Sequence, residues 1–360
     1  MNETKHNWTK EEILDIYNKP LMELLYKAAT VHRLHHDPNT VQVSTLVSIK
    51  TGGCSEDCGY CPQAARYHTN IEGNDLMSVQ QVKAQALRAK SGGSSRVCMG
   101  AAWRNVKDGE EFDQVLEMVR TINKLDMEVC CTLGMITKNQ AQRLAEAGLY
   151  AYNHNLDSSE EYYKEVISTR GYQDRLDTIN NVRKTNVTVC SGGIIGMGES
   201  TEDRAGMLVS LSTLNPQPES TPINALVAVE GTPLENQQPV SIWDMVRMVA
   251  TTRIVMPETQ VRLSAGRTQM SREGQAMCFF AGANSIFAGD KLLTTPNPDV
   301  NEDLKMFELL GLNPQKPFTK KVQPKTVEAA ESQYEALGEK PKWTRPKHTI
   351  ERNELAKKKC

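Results

Sequence analysis

From Val41 to Leu310 the chain alternates between two kinds of segment in one repeating order. A short β-rich run is followed by an amphipathic helical run, eight times in series. Side chains alternate with period two in a strand and recur every 3.6 residues in a helix, so the two kinds of run can be told apart. The strands expected are Val43–Lys50, Arg96–Gly100, Glu128–Leu133, Ala151–Leu156, Thr188–Gly192, Ile223–Val229, Gln260–Ser264 and Ser285–Phe287. Helices are expected at Ser78–Lys90, Glu111–Leu125, Lys138–Ala147, Arg175–Lys184, Glu202–Leu214, Ile242–Val255 and Gln269–Ala281, with Asp303–Leu310 after the last strand. Parallel strands need long crossover connections, usually helical. Eight such units predict an α/β fold of the TIM-type (β/α)8 kind, for which 360 residues and 39% hydrophobic content suffice. The alternative is an open doubly wound sheet. No G-x-G-x-x-G follows the first strand, which counts against its dinucleotide-binding version.

The flanks read differently. Residues 1–40 predict a helical extension, with Thr9 and Glu12 forming a capping box and a second helix over Leu21–His35. His32, His35 and His36 at its end read as a solvated terminus. Residues 41–312 form the barrel. Residues 313–360 carry five prolines and no periodicity, and predict a flexible tail with Cys360 as a bystander. From Gly311 onward there are 12 basic and 6 acidic residues, leaving that end about +6 and the remainder about −8. A net charge of −2 and few aromatics exclude a basic, aromatic-studded surface, so no nucleic acid is expected. No apolar run is long enough for a membrane span and the N-terminus lacks a signal-peptide core, so a cytoplasmic location is expected.

Nine cysteines is a high and odd number for such a chain, and argues for metal chemistry over a disulfide framework. Three of them, Cys54, Cys58 and Cys61, fall in one loop after the first strand, spaced C-x3-C-x2-C. Closed zinc and iron–sulfur sites take four protein ligands. Three thiolates on a four-iron cubane leave one iron open to chelate a small molecule. A zinc loop completed by a distant Cys or by His68 is the plainer alternative.

In a barrel, functional groups gather at the C-terminal ends of the strands. Alternation on strand 3 groups Glu128, Cys130 and Thr132 on one face and Val129, Cys131 and Leu133 on the other, which points Cys130 inward and Cys131 toward the helices. Cys98, Cys190 and Arg262 stand on strands 2, 5 and 7. One buried Cys is ordinarily a small hydrophobe, as Cys278 is read here. Three on separate strands beside an inward guanidinium, which needs a partner, suggest a second cluster bound by Cys98, Cys130, Cys190 and Arg262. Asn153, Asn155 and Asp157 share a face at the end of strand 4, and Asn224 on strand 6 can join them. Carboxamides both donate and accept, which suits a urea-like ligand. His154 takes the opposite face and reads as structural. Gly192-Gly193-Ile194-Ile195-Gly196-Met197-Gly198-Glu199 is no Walker loop; it reads as a tight turn, or as a close approach to a flat ligand with Ile194 as its apolar surface.

The three-Cys loop resembles that of the radical S-adenosylmethionine (SAM) enzymes. Taken with Cys98-Met99-Gly100-Ala101-Ala102-Trp103, Cys130, Tyr152-Asn153-His154-Asn155-Leu156-Asp157, Cys190-Ser191-Gly192-Gly193 and Val261-Arg262-Leu263-Ser264-Ala265-Gly266-Arg267, it resembles the biotin synthase family over roughly residues 11–313. The resemblance implies a [4Fe–4S] cluster on Cys54, Cys58 and Cys61 with SAM on its open iron. It also implies a deeper [2Fe–2S] cluster on Cys98, Cys130, Cys190 and Arg262. Tyr60, Ala101, Asn155, Asp157, Arg175 and Ile194 would hold SAM, Arg175 through the SAM carboxylate. Asn153, Asn155, Asn224, Thr294 and Thr295 would hold dethiobiotin, the two threonines through its acid tail. The implied reaction inserts sulfur between two unactivated carbons of dethiobiotin, with the deeper cluster as sulfur donor. Implied partners are an electron donor such as flavodoxin or ferredoxin, iron–sulfur assembly proteins and a second copy of the chain in a homodimer. Two features depart from the family pattern: Val106 follows Asn105 where proline is usual, and the basic tail is longer. A radical SAM relative would keep only the first three cysteines. A one-cluster electron carrier or a zinc scaffold would bind a single fully ligated centre.

Overall fold

A computed structural model describes residues 4–318 except 290. Two helices come first, α1 (Lys10–Tyr17) and α2 (Leu21–His35). The expected capping box opens α1: Glu12 N donates to Thr9 Oγ1 at 3.2 Å, and Thr9 N to Glu12 Oε2 at 3.0 Å. The barrel follows, as β1 (Thr40–Lys50), α3 (Val79–Ser91), β2 (Arg96–Ala101), α4 (Glu110–Asn123), β3 (Glu128–Thr132), α5 (Lys138–Glu146), β4 (Ala151–Asn153), α6 (Glu160–Val166), α7 (Tyr172–Arg183), β5 (Thr188–Cys190), β6 (Gly193–Ile195), α8 (Thr201–Ser212), β7 (Ser220–Ala225), α9 (Ile242–Val255), β8 (Gln260–Leu263), α10 (Arg272–Phe280), β9 (Ser285–Ala288), α11 (Val300–Leu310) and β10 (Asn313–Pro314). Every strand pair is parallel, and β9 returns to β1 and closes the barrel.

The fifth barrel position is shared by two short strands, β5 and β6, where one was expected. The interruption falls at Ser191 and Gly192. There the chain runs so close to β7 that a Cβ on Gly192 would lie 2.0 Å from the Pro222 carbonyl oxygen, so only glycine fits. Strand β7 starts at Ser220 instead of Ile223. A proline inside a run argues against a central strand, but the neighbouring strand is broken opposite Pro222, so the missing N–H costs no rung there. Strand β4 ends at Asn153, short of Leu156. Asp157 takes a left-handed backbone (φ 69°), and both Leu156 N and Asp157 N turn to the Gly192 carbonyl. Helix α6 is too short to show a period in sequence.

Two flanking expectations change. His32 and His36 are not a solvated helix end. His32 is 2% exposed, stacks on His36, and its ring is held far below the ordinary range, at about 3, by burial and then by Arg253. The reason is that α2 packs along α9, which brings the histidines over the fully buried Arg253. His35 alone is exposed. Residues 313–318 are fixed to the barrel. β10 pairs with the start of β1, Gln315 N donates to Val41 O at 2.8 Å, and Phe318 N donates to Glu128 Oε1 at 2.7 Å. This segment closes the N-terminal mouth of the barrel. The rest of the expected tail, with Cys360, lies outside the described residues.

Helices and outward strand residues form one large apolar layer that includes Cys131 and Cys278, while Cys98 and Cys130 belong to a small separate cluster with Ala151, Phe287 and Leu292. No helix among the described residues is long and apolar enough to cross a membrane.

Candidate active site

The three-Cys loop hangs from the C-terminal end of β1. Gly52 and Gly53 both take left-handed backbone (φ 77° and 72°) and reverse the chain there. The loop folds on itself through Cys54 N to Gln63 O (3.0 Å) and Ala65 N to Cys54 O (2.7 Å). It is also stitched to the segment before α7. Asp57 accepts from Ser168 N (2.9 Å) and Thr169 N (3.1 Å), and Gly59 N donates to Val166 O (2.9 Å). Those bonds hold the Asp57 carboxyl below its ordinary range despite burial. The loop is thus set by its framework before any ligand arrives.

Cys54, Cys58 and Cys61 line one chamber of about 190 Å³ at the barrel mouth. Burial raises all three thiols, Cys58 to about 11 and Cys61 to about 12. Among the described residues no three His, Cys, Asp or Glu side chains converge closely enough for one metal ion. A cubane, whose irons stand between its ligands, needs sulfurs arranged around a space, and that is what the chamber provides. Ala101, Arg175 and His154 line the same chamber. His154, expected on the opposite face as structural, borders the chamber as well: its backbone serves the sheet, and its buried Nε2 has no hydrogen-bond partner among the described residues. Glu56 Oε1 and Arg170 Nε line it too, paired at 3.8 Å, a separation too long for a hydrogen bond, and neither atom has a hydrogen-bond partner among the described residues. A buried carboxylate oxygen and a buried guanidinium N–H without hydrogen-bond partners fit a ligand with ammonium, carboxylate or sulfide groups, so cluster and SAM suit the residues present.

A second cavity of about 270 Å³ continues below. Tyr60, Cys61, Asn153, Asn155 and Asp157 line both spaces. Ile194, Asn224, Thr294 and Thr295 line the lower one, along with Cys98, Cys130 and Arg262. Asp157, 3% exposed, accepts from Tyr60 Oη at 2.7 Å and pairs with Arg175, whose Nη1 also donates to Asn155 O at 2.6 Å. Asn155 Oδ1 accepts from Gly192 N at 3.2 Å. Asn224 donates to Gly193 O (2.9 Å) and accepts from Ala265 N (3.1 Å), which leaves one amide hydrogen for the cavity.

At the bottom lie the deep thiols. Cys98 and Cys130 stand directly opposite each other in the β2–β3 register, and Cys190 lies 3.8 Å from Arg262 Nη1. The register expectation for strand 3 holds: Cys130 faces the cavity and Cys131 the helices. A hydrogen bond with Cys130 pulls the Cys98 thiol down, helped by Arg262 and Arg96 against burial, and raises Cys130 in turn. Arg262 is 1% exposed and has no carboxylate partner. It donates to Ser285 Oγ and Gln42 Oε1, both at 2.9 Å, and lies 4.7 Å above the Phe287 ring. The buried hydroxyl of Ser44, on the inward face of β1, has no hydrogen-bond partner among the described residues, while that of Ser220 on β7 lies against the Cys190 thiol. An unmet hydroxyl beside a cation and three thiols fits an anionic iron–sulfide group. Sequence reading missed Gln42, Ser44 and Ser285, although their even spacing on β1 and the inward register of β9 could have named them. Nothing in the sequence marked Arg170.

Residues 48–211 match the family model described as the radical SAM superfamily, and residues 222–313 match that of the biotin and thiamin synthesis associated domain. The chain is 86% identical over 350 residues to a biotin synthase of Flavobacterium johnsoniae, covering 97% of this chain and 96% of the relative. It is 57% identical to the mitochondrial biotin synthase of Arabidopsis thaliana, covering 87% and 83%. Among solved structures, methylornithine synthase matches with a TM-score of 0.73 at 17% identity, over 91% of this chain and 96% of the other. The FeFe-hydrogenase maturase of Carboxydothermus hydrogenoformans matches at 0.72 and 16%, over 86% and 76%. At such identities these two structures share the fold.

Proposed function

The chain belongs to the biotin synthase family of radical SAM enzymes, whose members convert dethiobiotin to biotin by inserting sulfur, and we propose how its residues divide that work. The observation that carries the division is three thiols at the barrel mouth and, below a cavity lined with carboxamides, Cys98 and Cys130 on its wall with Cys190 held 3.8 Å from Arg262.

Cys54, Cys58 and Cys61 hold the [4Fe–4S] cluster, and Cys98, Cys130, Cys190 and Arg262 hold a [2Fe–2S] cluster. When bound, the upper cluster and SAM supply a carbon-centred radical able to take hydrogen from saturated carbon, and the lower cluster supplies sulfur. The protein's part is placement. Tyr60, Ala101, Asn155, Asp157, Arg175 and Ile194 seat SAM across the boundary of the two spaces. Asn153, Asn155 and Asn224 face the ureido group of dethiobiotin with amides that both donate and accept. Thr294 and Thr295 meet its acid tail. Asp157 holds Tyr60 and Arg175 at once, so one carboxylate couples both walls of the SAM site. Leu292 and Leu293 close the cavity with apolar surface and keep water from a reactive intermediate. A homodimer, a flavodoxin- or ferredoxin-type electron donor, iron–sulfur assembly proteins and a cytoplasmic setting complete the reading, on family grounds.

Anaerobic reconstitution with iron and sulfide, followed by Mössbauer spectroscopy with and without SAM, tests it. Two cluster types are expected, and only the four-iron signal should respond to SAM. A single cluster type would leave the deep thiols without the assigned role.

A further inference from the structure

Arg170, Arg175 and Arg262 line the two chambers, and Arg96 and Arg104 pack behind them; all but Arg170 have hydrogen-bonded partners among the described residues. Arg175 donates to Tyr163 Oη (2.9 Å), Asn155 O (2.6 Å) and Asp157. Arg96 pairs with Glu128 at 2.6 Å, Arg104 Nη1 donates to Thr169 O at 2.6 Å, and Arg262 meets Ser285 and Gln42. Arg170 is the exception. Its side chain is 8% exposed, and its buried Nε has no hydrogen-bond partner among the described residues. Its nearest acid is Glu56, with Nε to Oε1 at 3.8 Å, inside ion-pair range and outside hydrogen-bonding range. A guanidinium carries five N–H donors, and burying them unmet is costly. A position like that persists when the residue faces a group that completes it.

The group can be placed. Arg170 directly follows Thr169, whose N–H and hydroxyl both bind Asp57 of the cysteine loop. It lines the chamber that Cys54 and Cys58 line. Its charge is the first to oppose burial at Cys58, ahead of that of Arg175. Glu56 lies behind it and is shared with Arg104 at 3.6 Å, which fixes the orientation of the guanidinium without filling its donors.

We propose that Arg170 is a positioning residue for the upper cluster: its unmet N–H faces the chamber that the cluster would fill, and its charge eases the cluster's uptake of an electron. This rests on the assignment of the [4Fe–4S] cluster to the three-Cys loop. Reduction adds one negative charge to the cluster, and a buried cation in the wall of its chamber favours the more negative state. The shared chemistry is a guanidinium on an anion, and the SAM carboxylate is the other anion within the chamber.

The test uses the full chain with Arg170→Met and Arg170→Lys, reconstituted with iron and sulfide. The readouts are iron content, a potentiometric titration of the upper cluster followed by electron paramagnetic resonance without SAM, and KM for SAM. Arg170→Met is expected to load iron as the parent does, yet titrate at a more negative potential before SAM is added, with Arg170→Lys recovering part of the shift. An unchanged potential with a raised KM for SAM overturns the proposal and makes Arg170 the carboxylate donor. Loss of iron from both variants, with earlier melting of the metal-free chain, overturns it in favour of a structural role. A parent chain with no reducible four-iron cluster would refute the cluster assignment itself.

Discussion

Cys130 and Cys131 are adjacent and chemically identical, and the structure sends them to opposite sides of one strand. Cys130 is 1% exposed and faces the lower cavity; Cys131 is 0% exposed and packs in the helix layer. Cys130→Ser keeps nearly the same volume but removes a thiolate. It should abolish the deep cluster and with it about a third of the bound iron, two irons of six, while the four-iron signal stays. Cys131→Ala removes one sulfur from a packed apolar site. The lost contact and small void cost about 1 kcal/mol, as expected for a small buried side chain. For a chain of this size that lowers the melting temperature by about 1–2 °C. Its iron content and biotin formation should match those of the parent. The assay is iron and sulfide analysis with Mössbauer spectroscopy on each variant, beside thermal unfolding of the metal-free chain. A one-residue slip in a strand exchanges its two faces. If Cys131→Ala lost the deep cluster and Cys130→Ser kept it, the β3 register described here would be wrong. If neither lost it, the sulfur-donor site would have to lie elsewhere.

Three further outcomes are expected. Asp157→Asn strands the buried Arg175 and releases Tyr60, so biotin formation should collapse and the metal-free chain lose about 3 kcal/mol, read by urea unfolding. The His32 ring titrates near 3 in the folded chain and near its ordinary 6.5 when unfolded, so the unfolded state takes up the proton first. Its contribution is whole above pH 6.5 and falls by about 1.4 kcal/mol per pH unit on the way down to 3; His32→Leu should flatten that part of the acid limb in urea midpoints. Truncation after residue 320 keeps the segment that closes the barrel floor, and should leave iron loading and activity at parental levels.

Much of this was legible in the sequence because a barrel strand has only two faces. Once alternation was counted on β3, the inward path of Cys130 followed, and Cys98, Cys190 and Arg262 obeyed the same rule. The split of β5 from β6 was not legible, since it depends on how near Gly192 runs to Pro222 on a strand that comes about 30 residues later. His32 and His36 misled for a similar reason: the end of α2 reads as polar until α9 lays Arg253 against it. The segment at 313–318 has a disordered composition and is ordered by backbone bonds to β1 and Glu128, which composition does not report.

The way buried arginines are satisfied separates scaffold from site. Arg267 is 1% exposed and closed by Asp303, Gln275 and the Phe287 carbonyl. Arg253, fully buried, has no acid, yet the carbonyls of Gly282, Pro257 and Thr259 and the Asn284 side chain take up its donors. Burial still lowers it, to about 9. These two are complete without any ligand, and both lie outside the chambers. Arg262, at the floor of the lower cavity, is met only by neutral groups and a thiol. Arg170, in the upper chamber, stands 3.8 Å from Glu56, and its Nε has no hydrogen-bond partner among the described residues. A buried cation whose N–H groups are left unmet is costly until a ligand meets them. The two incomplete arginines stand beside the two sets of thiols, one at each depth. Iron–sulfur groups with thiolate ligands are anionic, and they are the ligands that would complete both.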